Sequence, residues 1–151
     1  MHLGPGEVQT GTTVNRSGIQ RWKFQLNSTG PNLTYSNSGV VYDSAASSPC
    51  WYYMPSLTAN WQNEMLVGFS GSSSNTYISA YYVGRMADGT MLGPPVLIRA
   101  GATAGGNPWG EYSFATVDPI DNQTFWTVQG FASSVSPYPW ADWVVSVKPG
   151  P

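Results

Sequence analysis

Short segments of this chain alternate apolar and polar residues, and clusters of Gly, Pro, Asn and Ser separate the segments. In residues 20–26, for example, Trp22, Phe24 and Leu26 alternate with polar residues, which is the period of a β-strand. Nowhere do apolar residues recur at the three- and four-residue spacing of an amphipathic helix. The pattern therefore predicts an all-β chain of short antiparallel strands.

One stretch of the sequence occurs in two versions. Residues 56–71 and 113–133 each begin with a Ser-led strand, pass through a polar turn and finish with an apolar strand that ends in Gly-Phe. A repeat slightly longer than the usual blade length predicts a β-propeller or a similar array of sheets. A propeller is a scaffold for many activities, so the repeat indicates a fold and says little about chemistry.

The predicted strands group into blades of a single β-propeller segment that spans residues 1–151. Strands predicted at residues 56–60, 64–70, 77–85 and 95–99 make one complete blade over residues 55–100. Residues 7–43 make a partial blade of three strands, at 8–14, 20–26 and 39–42, with a further short strand at 33–35. Residues 109–148 make a second partial blade, with strands at 112–117, 124–131 and 140–147. Propellers close with about four to eight blades. We therefore expect other copies of the chain, or the remaining blades of a longer protein, to complete the ring.

Composition favours an extracellular or cell-surface protein and excludes two classes of partner. Charged residues make up 9% of the chain, against about 25% in an average soluble protein. The six basic residues are scattered, so we expect no nucleic-acid binding. No apolar run is long enough for a predicted membrane span. Low charge together with many aromatic, Ser, Thr and Asn residues is typical of secreted domains.

Several segments resemble a repeat of secreted bacterial proteins with a sialidase-like β-propeller. The resemblance rests on residues 55–60, 68–73, 79–85, 109–113 (Trp-Gly-Glu-Tyr-Ser) and 118–126 (Asp-Pro-x-Asp followed by Phe-Trp). It covers about residues 16–148, and it implies a propeller fold and secretion. Pro108 and Glu111 stand where the repeat usually has Arg and Asp, and the sialidase Asp-box is absent. The resemblance therefore implies the fold without the sialidase reaction.

Familiar catalytic constellations are missing from the sequence. His2 is the only histidine, which argues against a Ser-His-Asp triad, a histidine zinc site or a Cys-His pair. Cys50 has no second cysteine to pair with in the chain, and a small buried hydrophobe is its simplest interpretation. We expect no catalytic residue and no cofactor.

Candidate ligand-binding residues are Trp109, Glu111, Tyr112, Arg85 and Asn60. Trp109 opens a predicted strand near the centre of the array, where it would either stack on a sugar ring or pack between blades. Glu111 would then bind sugar hydroxyl groups. For Arg85, a substrate carboxylate, a pair with Asp88 and a backbone carbonyl are the three alternatives.

Two further groups of residues have alternative roles. Asp118 and Asp121 are weak candidates for calcium ligands, but both lie where a turn needs side chains that bond to their own backbone. Tyr138, Trp140 and Trp143 form a dense aromatic segment near the C-terminus. If exposed, this segment would be an interface or a carbohydrate platform.

The sequence is best interpreted as a non-catalytic extracellular binding or assembly module that associates with itself or with the rest of a larger propeller, with glycans as the second class of partner. One alternative is a fragment of a glycoside hydrolase or sialidase-like enzyme. Another is a structural subunit of an extracellular filament or surface layer.

Overall fold

A computed structural model of the chain describes residues 7–10, 13–27, 30, 32–105, 112–135, 137 and 139–150, with side chains from Val14 onward. These residues form antiparallel sheets and contain no helix, which confirms the all-β prediction. The strands are β1 (Glu7–Thr10), β2 (Thr13–Ser17), β3 (Ile19–Leu26), β4 (Leu33–Val41), β5 (Trp51–Ala59), β6 (Met65–Ser73), β7 (Thr76–Arg85), β8 (Val96–Arg99), β9 (Phe114–Val117), β10 (Phe125–Ala132) and β11 (Trp140–Val147).

Strands that are neighbours in sequence pair with each other to form four separate sheets. β1 pairs with β2 and β3 with β4, while β5–β8 form a four-stranded sheet and β9–β11 a three-stranded sheet. The four-stranded sheet matches the four consecutive strands predicted for residues 55–100. All pairing is antiparallel, as short connections between consecutive strands require.

The N-terminal part of the chain differs from its prediction. The described residues between 7 and 43 form two separate two-stranded sheets, β1–β2 and β3–β4, whereas three main strands of one partial blade were predicted. β4 is also a single strand where two short ones were predicted. A bulge explains this continuity: Lys23 pairs with Asn37 and Phe24 with Tyr35, so β4 carries one extra residue and its pairing with β3 continues past it.

β5 extends further than predicted because it tolerates a proline. The prediction placed a break at Pro55, yet the strand runs through this residue. Its pairing with β6 shifts between Tyr53 and Ser56, and Met54 has a φ of 52°. A bulge on an edge strand accommodates the missing proline N–H, and β5 lies at the edge of its sheet.

One face of the four-stranded sheet forms the apolar core. An aromatic cluster lies at its centre, with ring centroids 4.8 Å apart for Tyr52 and Phe69, and 5.9 Å apart for Phe69 and Tyr81. Ile19 and Val41, at the base of the β3–β4 sheet, are buried in the same core. The β3–β4 sheet is therefore attached to this side of the four-stranded sheet.

The other face of the four-stranded sheet packs on the three-stranded sheet through small and polar residues. Ser70 Oγ on β6 donates to the carbonyl oxygen of Gly130 on β10 at 2.8 Å. Gln129 Nε2 donates to Ser56 Oγ at 2.8 Å, which joins β10 to β5. Because Gly68 on β6 has no side chain, the side chains of Gln129 and Thr127 fill the space beside it. These hydrogen bonds satisfy Ser70 Oγ and Gln129 Nε2, which would be costly to bury unpaired, whereas Gln129 Oε1 is buried without a partner among the described residues.

Candidate functional sites

The two candidate calcium ligands are engaged in the turn between β9 and β10. Asp118 Oδ1 accepts from the backbone N–H of Ile120 at 2.8 Å, and its Oδ2 accepts from Trp126 Nε1 at 2.9 Å. Asp121 accepts from the backbone N–H of Thr124 at 2.8 Å, and its Oδ2 lies 3.2 Å from Lys148 Nζ. Both carboxylates therefore accept backbone N–H groups of their own turn. Within the described ranges, no group of three or more His, Cys, Asp or Glu side chains is arranged for a metal ion.

The hydrogen bonds around Asp121 also change its acidity. The hydroxyl and backbone N–H of Thr124, the backbone N–H of Gln123 and the nearby Lys148 hold the pKa of Asp121 well below its ordinary value. Each of these donors favours the charged carboxylate over the neutral acid. Asp121 is therefore an ionised part of the turn scaffold.

Asn60 directly follows β5, as Asp118 directly follows β9, and it lies in the turn between β5 and β6. Its Oδ1 accepts from the backbone N–H of Glu64 at 3.0 Å, and its Nδ2 donates to Glu64 Oε2 at 2.7 Å and to Gln62 Oε1 at 3.1 Å. The residue is also buried. The side-chain oxygen and nitrogen of Asn60 are thus used to close the turn. A ligand at this turn would contact the neighbouring residues and not Asn60 itself.

Arg85 is a buried residue at the end of β7. Its Nη1 approaches Met65 Sδ at 3.6 Å, and its Nε has no hydrogen-bond partner among the described residues. Asp88, one of its predicted partners, accepts instead from the backbone N–H of Thr90 at 2.8 Å. Arg85 lines a small cleft of about 190 Å³ together with Tyr82 and Leu92. Ligand pockets are usually about 300–1,000 Å³.

Three of the predicted site residues, Trp109, Glu111 and Tyr138, lie outside the described residues. Tyr112, which precedes β9, is 85% exposed. The structure brings Asn60 and Asp121 to the same cleft, and it places Arg85 in the smaller cleft described above.

The two remaining aromatic candidates, Trp140 and Trp143, both lie on β11. Trp143 faces the four-stranded sheet, where the guanidinium carbon of Arg99 lies 4.6 Å from its ring centroid and 5.4 Å from that of Phe131. This contact ties β8 to the three-stranded sheet. Trp140 pairs with Ala132 and is partly buried. Trp143 therefore contributes to the contact between sheets of the same chain.

Cys50 lies between a loop and the apolar core. The Asp43 carboxylate accepts from the backbone N–H of Cys50 at 2.8 Å and so closes the loop. The side chain packs against the core, and burial raises the pKa of the thiol. Burial also raises the pKa of the neighbouring Tyr81 to about 12. A thiol that stays protonated at neutral pH is a poor nucleophile, so the packing interpretation is supported.

The β3–β4 sheet presents an apolar surface that the described residues leave uncovered. We call this surface the hairpin face, and it consists of Trp22, Phe24, Leu26, Leu33, Tyr35 and Val40, all exposed. Trp22 is 55% exposed, and its ring centroid lies 6.0 Å from that of Tyr35. The opposite side of β3 turns toward the rest of the molecule, because Lys23 Nζ donates to Asn63 Oδ1 in the β5–β6 turn.

The three-stranded sheet presents a second surface of this kind, which we call the outer face. Phe114, Val128 and Val144 lie in one row across the three strands, and Trp126 lies in the next row. Phe114 is 61% exposed, and Val144 and Trp126 are also exposed. This face points away from the four-stranded sheet, because Thr127 and Gln129 fill the opposite side of β10.

No protein-family model, curated protein or solved structure matches the chain. Among the residues that the structure describes, no helix is long and apolar enough to cross a membrane. The alternation of β3 was visible in the sequence, but it did not reveal which side of the strand is left uncovered.

Proposed function

We propose that the chain is a non-catalytic, extracellular assembly module whose sheets are blades of a β-propeller-type array that further copies of the chain complete. The resemblance to sialidase-like repeats is part of this proposal. The remaining blades of a longer protein would cover the same surfaces if the chain is joined to them. The observation that carries the proposal is the pair of uncovered apolar faces.

Exposed apolar surface of this extent is unusual for a protein that acts alone. Single exposed hydrophobic residues are common, but contiguous apolar patches mark interfaces. The hairpin face gathers six large apolar side chains on two short strands. Water contact with this surface is unfavourable by roughly 25 cal/mol for each Å² of apolar area, so covering it stabilises an assembly.

The two faces lie on different sides of the four-stranded sheet. The β3–β4 sheet is attached on the side of Phe69, and the three-stranded sheet packs on the side of Gly68. Both faces point outward, so one copy of the chain would offer its hairpin face to the outer face of the next. Such a head-to-tail contact between different surfaces builds a ring when the rotation closes.

The internal packing of the chain provides a precedent for this contact. The four-stranded and three-stranded sheets already pack face to face, with β9 next to β5, β10 next to both β6 and β7, and β11 next to β8. Face-to-face packing of consecutive sheets in the same strand order is the arrangement between propeller blades. A copy placed on the outer face would repeat it.

Mixing two variants tests the head-to-tail contact. The Trp22→Ser/Phe24→Ser variant disrupts the hairpin face, and the Phe114→Ser/Val144→Ser variant disrupts the outer face. We expect the unmodified 16.3 kDa chain to form larger species in sedimentation velocity and each variant alone to be a monomer. An equimolar mixture should form a dimer, because each variant retains the face that the other has lost.

Val135→Ser is the matched control, since Val135 is an exposed apolar residue outside both faces. It should associate like the unmodified chain. A folded monomer at every concentration of the unmodified chain would contradict assembly by further copies. If only one variant lost association and the other formed a dimer by itself, the contact would be between like faces, and the head-to-tail arrangement would be wrong.

A further inference from the structure

Two turns at the same end of the large sheets enclose a cleft that the assembly proposal does not use. The β5–β6 turn and the β9–β10 turn line an open cleft of about 600 Å³. Its lining residues are Ala59, Asn60, Trp61, Val117, Asp121, Asn122 and Gln123. None of these residues belongs to the hairpin face or the outer face. The cleft is therefore a surface distinct from both faces.

Trp61 provides a large apolar ring at the cleft. The side chain is 74% exposed, although the neighbouring Asn60 is buried and closes the turn through its bonds to Glu64. The turn thus holds the backbone of Trp61 while leaving its ring to solvent. Tryptophan offers a large contact area with few rotatable bonds, so little conformational entropy is lost when it binds a ligand.

Two side-chain amides face the same cleft from the β9–β10 turn. Asn122 has a left-handed backbone with a φ of 55°, which places it at the tip of the turn beside Gln123. Neither amide forms a hydrogen bond with another described residue. Each offers two N–H donors and one carbonyl acceptor. Asp121 fixes the conformation of this turn, since its Oδ1 accepts from the backbone N–H of Gln123 at 2.9 Å.

We propose that this cleft binds a neutral pyranose ring of a glycan, with Trp61 against the C–H face of the sugar and Asn122 and Gln123 bonded to its hydroxyl groups. A sugar ring combines an apolar face with a rim of donors and acceptors, and the cleft offers both. The charge of Asp121 is already balanced by Lys148 and by its turn donors, so a charged ligand gains little. Grooves for proline-rich peptides are lined by several aromatic rings, whereas Trp61 is the aromatic side chain in this cleft.

Saturation-transfer NMR tests the proposal, because it detects weak binding of small ligands. The probes are cellohexaose, mannohexaose and chitohexaose, measured separately with the purified chain. We expect transfer from the protein to the ring C–H protons of at least one of these probes. Trp61→Ala should abolish the transfer, and Asn122→Ala/Gln123→Ala should weaken binding about 30-fold, because the hydrogen bonds of two side chains are lost.

Trp51→Ala is the control variant, since Trp51 is exposed at the start of β5 and does not line the cleft. It should bind like the unmodified chain. Transfer to none of the three sugars, or transfer that survives Trp61→Ala, would overturn the proposal. Binding of a proline-rich decapeptide that depends on Trp61, without sugar binding, would overturn it in favour of a peptide groove. Monomeric chain that still binds sugar would contradict the assembly proposal alone.

Discussion

Gly68 in β6 faces the buried side chains of β10, and adding one methyl group there tests how the two large sheets pack. A Cβ atom at this position would lie 2.3 Å from Gln129 Nε2 and 2.3 Å from Thr127 Oγ1. Both side chains are fully buried and bonded to other groups. Gln129 Nε2 donates to Ser56 Oγ at 2.8 Å, and Thr127 Oγ1 donates to the carbonyl oxygen of Phe114 at 3.0 Å. Neither side chain moves aside without breaking a contact.

The expected cost of Gly68→Ala follows from these contacts. Inserting a methyl group into a well-packed core costs about 1–3 kcal/mol. Displacing Gln129 also weakens its bonds to Ser56 and Thr127, each worth about 1 kcal/mol net. These two costs do not add fully, because displacing Gln129 relieves part of the steric overlap. We therefore expect the free energy of unfolding to fall by about 2–4 kcal/mol.

Urea unfolding followed by tryptophan fluorescence, at one protein concentration, measures this loss. The midpoint should fall while the m-value stays constant. Gly30→Ala is the matched control, because a Cβ atom there would meet no heavy atom within 4 Å. Adding Gln129→Ala should reduce the cost of Gly68→Ala, since the shortened side chain leaves room for the methyl group. If Gly68→Ala were no more destabilising than Gly30→Ala, the face-to-face packing of the two sheets would be wrong.

Two further predictions concern titrating groups. The folded-state pKa of Asp121 lies below its unfolded-state value near 3.8, so its contribution to stability is present above that pH and is lost as the pH falls below it. Asp121→Asn should therefore flatten the acid side of the curve of unfolding midpoint against pH, and parallel curves for the two proteins would contradict this. Because burial raises the pKa of the Cys50 thiol, iodoacetamide should alkylate it more slowly in the folded chain than in urea at neutral pH. Intact-mass measurements follow the reaction, and equal rates in the two states would show that folding neither shields the thiol nor suppresses its ionisation.

Local patterns in the sequence were sufficient to predict most strands. β7, β8, β10 and β11 lie within one residue of their predicted bounds, because alternation and flanking turn residues are local properties. Turn capping by Asp118 was predictable for the same reason, since its partner Ile120 is two residues away. Predictions were less accurate where a bulge intervened, as in β4 and β5, because a bulge depends on the partner strand.

The candidate binding surfaces depended on contacts between distant segments. Trp22 and Phe69 both belong to apolar strand patterns, yet Trp22 is half exposed and Phe69 is fully buried. The exposure of Trp61 likewise follows from the turn closed by Asn60, and its amide neighbours come from a turn about sixty residues later in the chain.

The sequence by itself determined the class of structure, most of the strands and the chemistry of the turn at Asp118. The tertiary structure decided which side of each strand is covered, and so which residues are available to a partner. The physical reason is that a period of two separates the faces of a strand without saying what packs on either one. That packing is made by pairs such as Ser70 and Gly130, which the chain brings together only when its sheets stack.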